Sequence, residues 1–287
     1  MSEQPFDPEQ YKQRHRHEWD AAAEGWKKWW PIIEQGGQKV SGRLVEMAGI
    51  QLGQRVLDVA SGIGEPAVTA ASHVGPDGSV VATDYSGSML AIAQERAAEL
   101  GLINLETQVV DGEMLDFPAS SFDAALCRWG LMLMPDPTES ASRVAEALAP
   151  GGKFAAAVWG PPLKVPLAGV AMGVIMKALE MPPPPEGAPG IFSLSAPGSI
   201  EDVFETAGFS DVHTEEMTVI IELPSADTFV EMFRDTARAV TTMVAEQPAK
   251  QQEKIWGQVT AGIQQFATDE GSIRLPNQTI CVVGTKQ

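Results

Sequence analysis

The regular alternation of short apolar segments with helical ones between residues 55 and 159 constrains the fold of this 287-residue chain more than any other feature. Each apolar segment has the length and composition of a buried strand. These segments are 55–60, 79–83, 105–110, 122–127 and 153–159, and two further strand-like runs follow at 212–223 and 280–283. Strands that alternate with helices across short turns form a parallel sheet with helices on both faces. We therefore predict an α/β fold with a doubly wound, mostly parallel seven-stranded sheet.

Residues typical of helix starts and ends stand between these strands. Pro66 occupies a favoured first helical position after the first strand. Ser86 can cap the helix after the second strand, and Gly101 stands just past the end of that helix. Asp136 and Glu139 have the spacing of a capping box for a helix that ends near residue 148.

The segments outside this alternating region predict helical additions. Residues 8–30 carry aromatic side chains at steps of three or four, which indicates a helix with one apolar face. Gly36 and Gly37 are expected to end it before a second helix that reaches Met47. Two more helices, 225–247 and 249–267, are predicted ahead of the last strand.

The segment between the fifth and sixth strands differs in composition from the rest. Residues 161–198 are rich in proline and methionine, and the four consecutive prolines 182–185 favour an extended connector over a helix. Ser199 and Asp202 are then expected to cap a helix that ends near Gly208.

Charge and cysteine content exclude several classes of partner. The chain carries 38 acidic and 20 basic residues, a formal charge of −18. A surface of that sign repels phosphate backbones, so no nucleic-acid partner is expected.

Cys127 and Cys281 lie in apolar runs and are expected to be free thiols of a reducing compartment. The N-terminal residues lack a signal-peptide pattern, and the longest apolar stretch, 165–176, is too short for a membrane span. A cytoplasmic location without a bound metal is expected.

The first strand runs into a glycine-rich turn, Gly62-Ile63-Gly64, that opens a helix. Glycine lets the backbone come close to a ligand, and a helix start offers unpaired N–H groups. Asp84 stands twenty residues beyond Gly64, at the end of the second strand. A carboxylate at that place can accept hydrogen bonds from both hydroxyls of a ribose. The arrangement therefore predicts a site for a nucleoside-containing cofactor.

Two kinds of cofactor are compatible with this arrangement. Residues 62–67 satisfy the G-x-G-x-x-A pattern of dinucleotide sites. However, Asp58 and Glu65 would repel a pyrophosphate, whereas the Asp58 carboxylate could position a cationic amino group. No Tyr-x-x-x-Lys pair suited to hydride transfer follows. A nicotinamide-dependent oxidoreductase is therefore the lesser alternative.

Five motifs between residues 45 and 160 resemble, in the same order, those of the class I S-adenosylmethionine-dependent methyltransferases. The resemblance is to the broad group that includes the quinone-biosynthesis C-methyltransferases and many small-molecule enzymes. The motifs are VLDVASGIG at 56–64, VVATDYSGSML at 80–90, DGE at 111–113, SFD at 121–123 followed by CRW at 127–129, and LAPGGK at 148–153. The resemblance implies a Rossmann-like methyltransferase fold and S-adenosylmethionine as the cofactor.

The resemblance also implies which residues contact the methionine part of the cofactor. Gly62 and Gly64 would face it, with Ala60 in the same turn at a position where the family has a glycine. Asp58 would lie behind the turn, and Arg128 would line the methionine end.

A second group of residues would contact the adenosine part. By the same resemblance, Asp84 would hold the ribose, and Tyr85 and Met89 would flank the adenine. The turn Asp111-Gly112-Glu113 would contact the adenine, with Asp111 accepting a hydrogen bond from its amino group.

The chain departs from the quinone branch of this group at two places. The N-terminal pattern of that branch is absent, and the fifth strand ends in Ala157-Val158-Trp159 where the branch has Leu-Glu-Phe. No quinone substrate is therefore assigned.

Methyl transfer from a sulfonium requires alignment and exclusion of water more than a fixed catalytic side chain. His15, on the aromatic face of the first helix, is the one histidine expected near a pocket, where it could act as a general base. Large apolar side chains are expected to wall the acceptor pocket. These are Trp26, Trp29, Trp30, Trp129, Trp159, Met172 and Met176.

These observations divide the chain into four parts. They are an N-terminal helical lid (1–50), a cofactor-binding core (51–160), a substrate-side insertion (161–198), and the rest of the sheet (199–287) with a helical cap at about 225–267. We expect an enzyme that methylates an oxygen or carbon of a small, largely apolar molecule. The alternative from another class is a non-catalytic protein that keeps the fold to bind the cofactor or to scaffold a partner. The sequence does not indicate an oligomeric state.

Overall fold

The computed structural model describes residues 6–185 and 187–287. Its strands are β1 (Arg55–Val59), β2 (Ser79–Asp84), β3 (Leu105–Val109), β4 (Phe122–Arg128), β5 (Leu148–Trp159), β6 (Phe209–Leu223) and β7 (Ile273–Lys286). They form one seven-stranded sheet in the order β3-β2-β1-β4-β5-β7-β6. Strands β1 to β5 pair in parallel, whereas β7 is antiparallel to both β5 and β6. The predicted mostly parallel seven-stranded sheet is confirmed.

Helices cover the sheet and its carboxyl edge. They are α1 (Pro8–Met47), α2 (Ala67–Val74), α3 (Gly87–Glu99), α4 (Pro137–Ala147), α5 (Pro166–Ala178), α6 (Ser199–Thr206), α7 (Ala226–Thr236), α8 (Arg238–Ala245) and α9 (Ala249–Gln264). Helices α2 and α3 pack against β1 to β3, and α4 and α6 pack against β5 to β7. No helix in the described part of the chain combines the length and the apolar character needed to cross a bilayer.

The main core lies at the centre of the sheet. From Phe154 to Val158, β5 is fully buried, as expected for a strand with neighbours on both sides and helices on both faces. Phe154 stacks on Phe204 of α6 with ring centroids 4.9 Å apart. Burying an aromatic ring of this size stabilises the fold by about 1.5–3 kcal/mol.

Two of the predicted helix starts are capped as expected. The Ser86 hydroxyl accepts a hydrogen bond from the Met89 N–H, and the Asp136 carboxylate accepts one from the Glu139 N–H at 2.9 Å. The reciprocal bond of a capping box is absent at Asp136, because its own N–H donates to Glu113 instead, at 3.0 Å. The start of α4 is thereby joined to the loop after β3.

The predicted break at Gly36 and Gly37 is wrong, because α1 is one continuous helix of 40 residues. A Cβ at Gly36 would lie 2.3 Å from the carbonyl oxygen of Ile220, and one at Gly37 would lie 3.0 Å from the Arg128 guanidinium. The glycines therefore allow β6 and Arg128 to approach the helix closely. This packing outweighs the cost of about 1 kcal/mol that each glycine brings to a helix.

Three further predictions of helix and strand ends need correction. Gly198, in the left-handed conformation, caps α6, while the Ser199 hydroxyl donates to the Ala196 carbonyl oxygen. The predicted helix 225–247 is two helices, because the chain turns at Ala237. At the end of the first of them, α7, the Thr236 carbonyl oxygen accepts a hydrogen bond from the Trp26 indole N–H of α1. The closing strand is longer than predicted because β7 pairs along its length with β6.

Candidate functional site

The carboxyl end of β1 turns sharply into α2. Ala60, Gly62 and Gly64 have positive φ angles of 54°, 54° and 106°, a conformation that glycine adopts without strain and alanine does not. A Cβ at Gly64 would lie 3.1 Å from the Cβ of Ala93 on α3, and one at Gly130 would lie 2.6 Å from the Cβ of Ala60. Glycine is therefore required for the close packing around this turn.

A buried carboxylate, that of Asp58, lies beneath the turn. One of its oxygens accepts hydrogen bonds from the Ser61 hydroxyl and from the Ala67 N–H, the latter at 2.9 Å. The other oxygen, Oδ1, is buried and has no hydrogen-bond partner. Burial raises the pKa of Asp58 to about 8, although the two hydrogen bonds and the charge of Arg128 oppose the shift. An unpartnered buried acceptor of this kind favours a ligand that brings a donor.

Asp84 links the end of β2 to the same turn. Its carboxylate accepts hydrogen bonds from the Gly62 N–H at 2.9 Å and from the Ser86 N–H at 2.8 Å. Burial raises the pKa of Asp84 to about 6, against these hydrogen bonds. The neighbouring Tyr85 is half-buried, and burial raises the pKa of its hydroxyl. The structure therefore brings Asp58, Asp84 and the glycine turn together, as predicted.

Met89 is buried in a small apolar cluster between α3 and α1. The cluster contains Ala22, Ala23, Ile63, Met89 and Ile92, with Trp19, Trp26 and Trp30 packed against it. Next to it, the Asp20 carboxylate accepts hydrogen bonds from the Ser86 hydroxyl at 2.6 Å and from the Ser88 N–H at 3.3 Å. Helix α1 therefore lies across the turn that follows β2.

The turn Asp111-Gly112-Glu113 also contacts α1. The Lys12 ammonium lies 2.8 Å from the Asp111 carboxylate and 2.7 Å from that of Glu113. A Cβ at Gly112 would lie 2.7 Å from the Met134 Cε and 3.2 Å from a methyl group of Val59. Lys12 and Asp20 thus fasten α1 to two turns that the sequence predicts to bind adenosine.

The Arg128 guanidinium is held by α1. It makes two hydrogen bonds to the Glu34 carboxylate, at 3.1 and 3.0 Å, and further bonds to the Gly37 carbonyl oxygen and the Ser41 hydroxyl. Burial raises the pKa of Glu34, and Arg128 opposes the shift. The guanidinium also lies 4.8 Å from the centroid of the Trp129 ring. Its predicted contact with the methionine end of a cofactor stays a prediction.

Sequence reasoning missed three polar residues on α1 that contact the site: Lys12, Asp20 and Glu34. Glu34 had a detectable signal, because Trp30, Glu34, Gly37 and Ser41 follow one another at helical spacing and share one face. A carboxylate on a face with small and aromatic neighbours indicates a buried partner of opposite charge. Lys12 and Asp20 show no comparable signal in the sequence.

Trp30 lies between two arginines. The Arg96 guanidinium stands 3.9 Å from the ring centroid and that of Arg128 stands 5.9 Å away. Arg96 also donates to the Ile63 carbonyl oxygen of the glycine turn and pairs with Glu65 at 3.3 Å. Trp30 therefore contributes to the support of the turn by cation–π contact.

The other predicted pocket tryptophans fall into two groups. Trp26 and Trp29 donate to the Thr236 carbonyl oxygen and to the Asp235 carboxylate, so they attach α1 to α7. Trp129 and Trp159, which follow and end β4 and β5, stack with centroids 4.1 Å apart. Only this second pair stands where adjacent parallel strands end, which is the usual place for a site in such sheets.

Met172, Met176 and His15 stay predictions as site residues. The two methionines are half-buried on α5, and Met172 packs against the main core. His15 stacks on Tyr11 at 3.9 Å, and burial lowers its pKa to about 4. A base with so low a pKa is uncharged at neutral pH and accepts a proton only weakly. Among the described residues, no three His, Cys, Asp or Glu side chains are grouped to hold a metal ion.

Several known proteins resemble this chain in sequence. Residues 56–152 match the family described as "Methyltransferase domain". Nocamycin O-methyltransferase of Saccharothrix syringae is 30% identical over 200 residues, which cover 67% of this chain and 71% of that protein. The ubiquinone/menaquinone biosynthesis C-methyltransferase UbiE of Pseudomonas fluorescens (strain SBW25) is 35% identical over 111 residues, or 38% of this chain and 43% of that protein. The chain thus spans less than half the length of UbiE.

Solved structures share the fold. The YcgJ protein from Bacillus subtilis superposes with a TM-score of 0.59 at 18% identity, over 87% of this chain and 99% of that one. A phosphoethanolamine N-methyltransferase 2 of Haemonchus contortus, in complex with S-adenosyl-L-methionine, gives a TM-score of 0.53 at 21% identity, over 87% of this chain and 53% of that one. At these identities the likeness shows the fold alone.

The matches favour neither the nicotinamide-dependent oxidoreductase nor the non-catalytic scaffold. The similarity to nocamycin O-methyltransferase extends beyond the matched domain and covers most of both chains. With the cofactor motifs in the predicted order and the predicted sheet, this chain belongs to the S-adenosylmethionine-dependent methyltransferases.

Proposed function

We propose that this protein transfers a methyl group from S-adenosylmethionine to an oxygen or carbon atom of a small, largely apolar acceptor in the cytoplasm. The observation that carries the proposal is the unpartnered, buried Oδ1 of Asp58 beside the glycine turn and Asp84. A cationic amino group, which the methionine part of this cofactor has and a dinucleotide lacks, would favour the ionised form of Asp58 and oppose the rise in its pKa that burial causes.

The residues of the site fit this cofactor. Asp58 would receive its amino group, and the backbone of Gly62 and Gly64 allows a close approach. Asp84 would accept the ribose hydroxyls, and Asp111 the adenine amino group. Asp84 and Asp111 already accept protein donors, Gly62 N–H and Lys12, so the ligand would share these carboxylates with them.

When bound, the cofactor supplies an electrophilic methyl group on a sulfonium. The chain has to align the acceptor with that methyl group and exclude water. The stacked Trp129 and Trp159 offer a rigid apolar wall at the ends of β4 and β5. Arg128, fixed by Glu34, keeps a positive charge beside this wall. His15, uncharged near neutral pH, can take a proton from an acidic hydroxyl of the acceptor but is not a strong base.

The four parts of the chain have separate roles in this proposal. Residues 1–50 form a lid, supported by the contacts of Lys12 and Asp20 with the cofactor turns. Residues 51–160 bind the cofactor. The insertion 161–198 and the helical cap at about 225–267 close the acceptor side, and α5 and α9, which belong to them, pack against each other.

The relatives support O- or C-methylation of a small molecule. Aklanonic acid methyltransferase DauC of Streptomyces sp. (strain C5) is 36% identical over 113 residues, or 39% of this chain and 51% of that protein. Together with the nocamycin enzyme, it supports a small-molecule acceptor. A quinone is not proposed, because the fifth strand ends in Ala157-Val158-Trp159 where the quinone branch has Leu-Glu-Phe.

Isothermal titration with S-adenosylmethionine and then with NADH tests the proposal. We expect S-adenosylmethionine to bind the wild type and NADH not to bind. Asp84→Asn keeps the size of the side chain but removes its charge. It should weaken the binding of S-adenosylmethionine at least tenfold, or by about 1.4 kcal/mol. Asp77→Asn, an exposed acid in the turn before β2, is the matched control and should leave the affinity unchanged. Binding of NADH in place of S-adenosylmethionine, or of neither, would refute the proposal.

A further inference from the structure

A groove of about 510 Å³ separates the N-terminal half of α1 from α8. Residues of both helices line it, among them Gln13, Arg14 and Glu18 of α1 and Arg238 and Thr242 of α8. Its volume falls within the range of small-molecule sites. The groove therefore has room for part of a ligand.

The charge of the groove differs from that of the whole protein. Arg14 and Arg238 face it from different helices, and Glu18 is the one carboxylate among the described residues that line it, so these residues give it a net charge of +1 with histidine counted as neutral. The whole chain has a formal charge of −18. Within the described residues Arg238 forms no ion pair, and the one ion pair of Arg14 is a long contact of 3.9 Å with Glu18. Two guanidinium groups are thus available for an anion.

Glu18 adds a second kind of recognition. Its Oε2 is buried and has no hydrogen-bond partner. The His15 Nε2 lies 3.7 Å from this oxygen. Burial raises the pKa of Glu18, and Arg14 opposes the shift. Glu18 lines the groove, so a hydroxyl or amine of a ligand there could donate to its carboxylate group.

The groove lies close to the cofactor site, because the same stretch of α1 contacts both. Lys12 and Asp20, which bind Asp111 and Ser86, lie within the same three turns of α1 as Arg14 and Glu18. A helix with its side chains is about 10–12 Å across. A molecule that enters the groove is therefore about one helix diameter from the residues expected to hold adenosine.

We propose that this groove binds a carboxylate of the methyl acceptor, at a distance from the atom that is methylated. The inference rests on the proposed function and names a substrate class for it, a largely apolar molecule with one carboxylate and a hydroxyl or amine. Arg14 and Arg238 pair with the carboxylate, and Glu18 accepts from the donor. The groove's net charge of +1 matches a monoanion, whereas a dianionic phosphate would meet surplus negative charge at Glu18.

The test uses p-coumarate, which carries a carboxylate and a phenol, and its neutral counterpart p-coumaryl alcohol. Each is titrated calorimetrically into the full chain at low salt, with and without S-adenosylhomocysteine. We expect the wild type to bind the carboxylate about tenfold more tightly than the alcohol. Arg14→Gln or Arg238→Gln alone should weaken the binding of p-coumarate about threefold, as expected for exposed ion pairs. The double variant should lose the preference, and added salt should reduce it.

Arg16→Gln is the matched control, because Arg16 is an exposed arginine of α1 that does not line the groove. It should keep the preference for the carboxylate. The affinity for S-adenosylhomocysteine should be equal in all variants. Failure of the wild type to bind S-adenosylhomocysteine would count against the proposed function. An intact cofactor affinity with no carboxylate preference, or a preference that survives in the double variant, would overturn the groove assignment.

Discussion

Replacing Asp58 by asparagine should stabilise the free protein at alkaline pH and weaken the binding of S-adenosylmethionine. Burial raises the pKa of Asp58 to about 8 from an ordinary value of 3.8. The folded chain therefore holds this proton more tightly than the unfolded chain does. The free energy of unfolding of the wild type consequently falls as the pH rises from about 4 to about 8. Asparagine does not ionise, so the free energy of unfolding of the variant does not fall in this way.

The size of the effect follows from the two pKa values. A single proton changes the free energy of unfolding by about 1.4 kcal/mol per pH unit inside this window. The difference in free energy of unfolding between the variant and the wild type should therefore widen by about 4 kcal/mol from about pH 5 to about pH 8. The amide NH₂ would take the place of the unpartnered Oδ1, at a cost of about 1–3 kcal/mol. The variant should thus be close to the wild type at about pH 5 and clearly more stable at about pH 8.

Urea unfolding followed by tryptophan fluorescence measures this difference at each pH. Asp77→Asn serves as the control, because Asp77 is an exposed acid outside the candidate site. Calorimetric titration at about pH 8 should show weaker S-adenosylmethionine binding to Asp58→Asn, since the amide offers no negative charge to the amino group. A stability gap that is equal at both pH values would refute the reasoning about the Asp58 proton.

Three other predictions concern α1. Gly36→Ala should reduce the free energy of unfolding by about 1–3 kcal/mol and so lower the thermal midpoint, because its Cβ would lie 2.3 Å from the Ile220 carbonyl oxygen. Gly42→Ala, with open space around it, should be neutral or up to about 1 kcal/mol stabilising. Equal losses in the two variants would contradict the packing. The pKa of His15 is lowered to about 4, so the wild type should lose about 1–2 kcal/mol as the pH falls from about 6.5 to 4, after allowance for partial exposure. His15→Gln should remove this acid loss in urea titrations, and an unchanged acid slope would contradict it. Lys12→Met should speed amide hydrogen exchange in residues 8–24 about fivefold, as expected for the loss of about 1 kcal/mol. Unchanged exchange would show that Lys12 does not fasten α1 to the turn 111–113.

The parts of the site that sequence predicts well are local in the chain. The glycine turn, Asp58 and Asp84 follow from the ends of β1 and β2, where strand, turn and spacing lie within thirty residues. Parallel strands then place the ends of β1 and β2 side by side, so the meeting of Asp84 with the Gly62 N–H follows from topology.

The parts that sequence does not predict depend on contacts between distant segments. Gly36 has the local properties of a helix breaker, and only the approach of β6, more than 180 residues later, accounts for its place inside α1. The pairing of Glu34 with Arg128 is of the same kind. The tryptophans of α1 share one helical spacing, yet Trp26 and Trp29 bind α7 while Trp30 supports the glycine turn. Spacing identifies an apolar face but not the segment that covers it.

The continuity of α1 also affects the order in which the chain can fold during synthesis. Residue Gly25 packs on Asp235, Gly36 on Ile220, and Arg43 pairs with Glu215, so the partners of α1 on β6 and α7 are made about 170–210 residues after it. At about 5–20 residues per second, the ribosome needs on the order of ten to forty seconds to deliver them. Helix formation itself takes about a microsecond. The surface of α1 that packs on β6 and α7, which includes Trp29, therefore stays uncovered until the last third of the chain emerges.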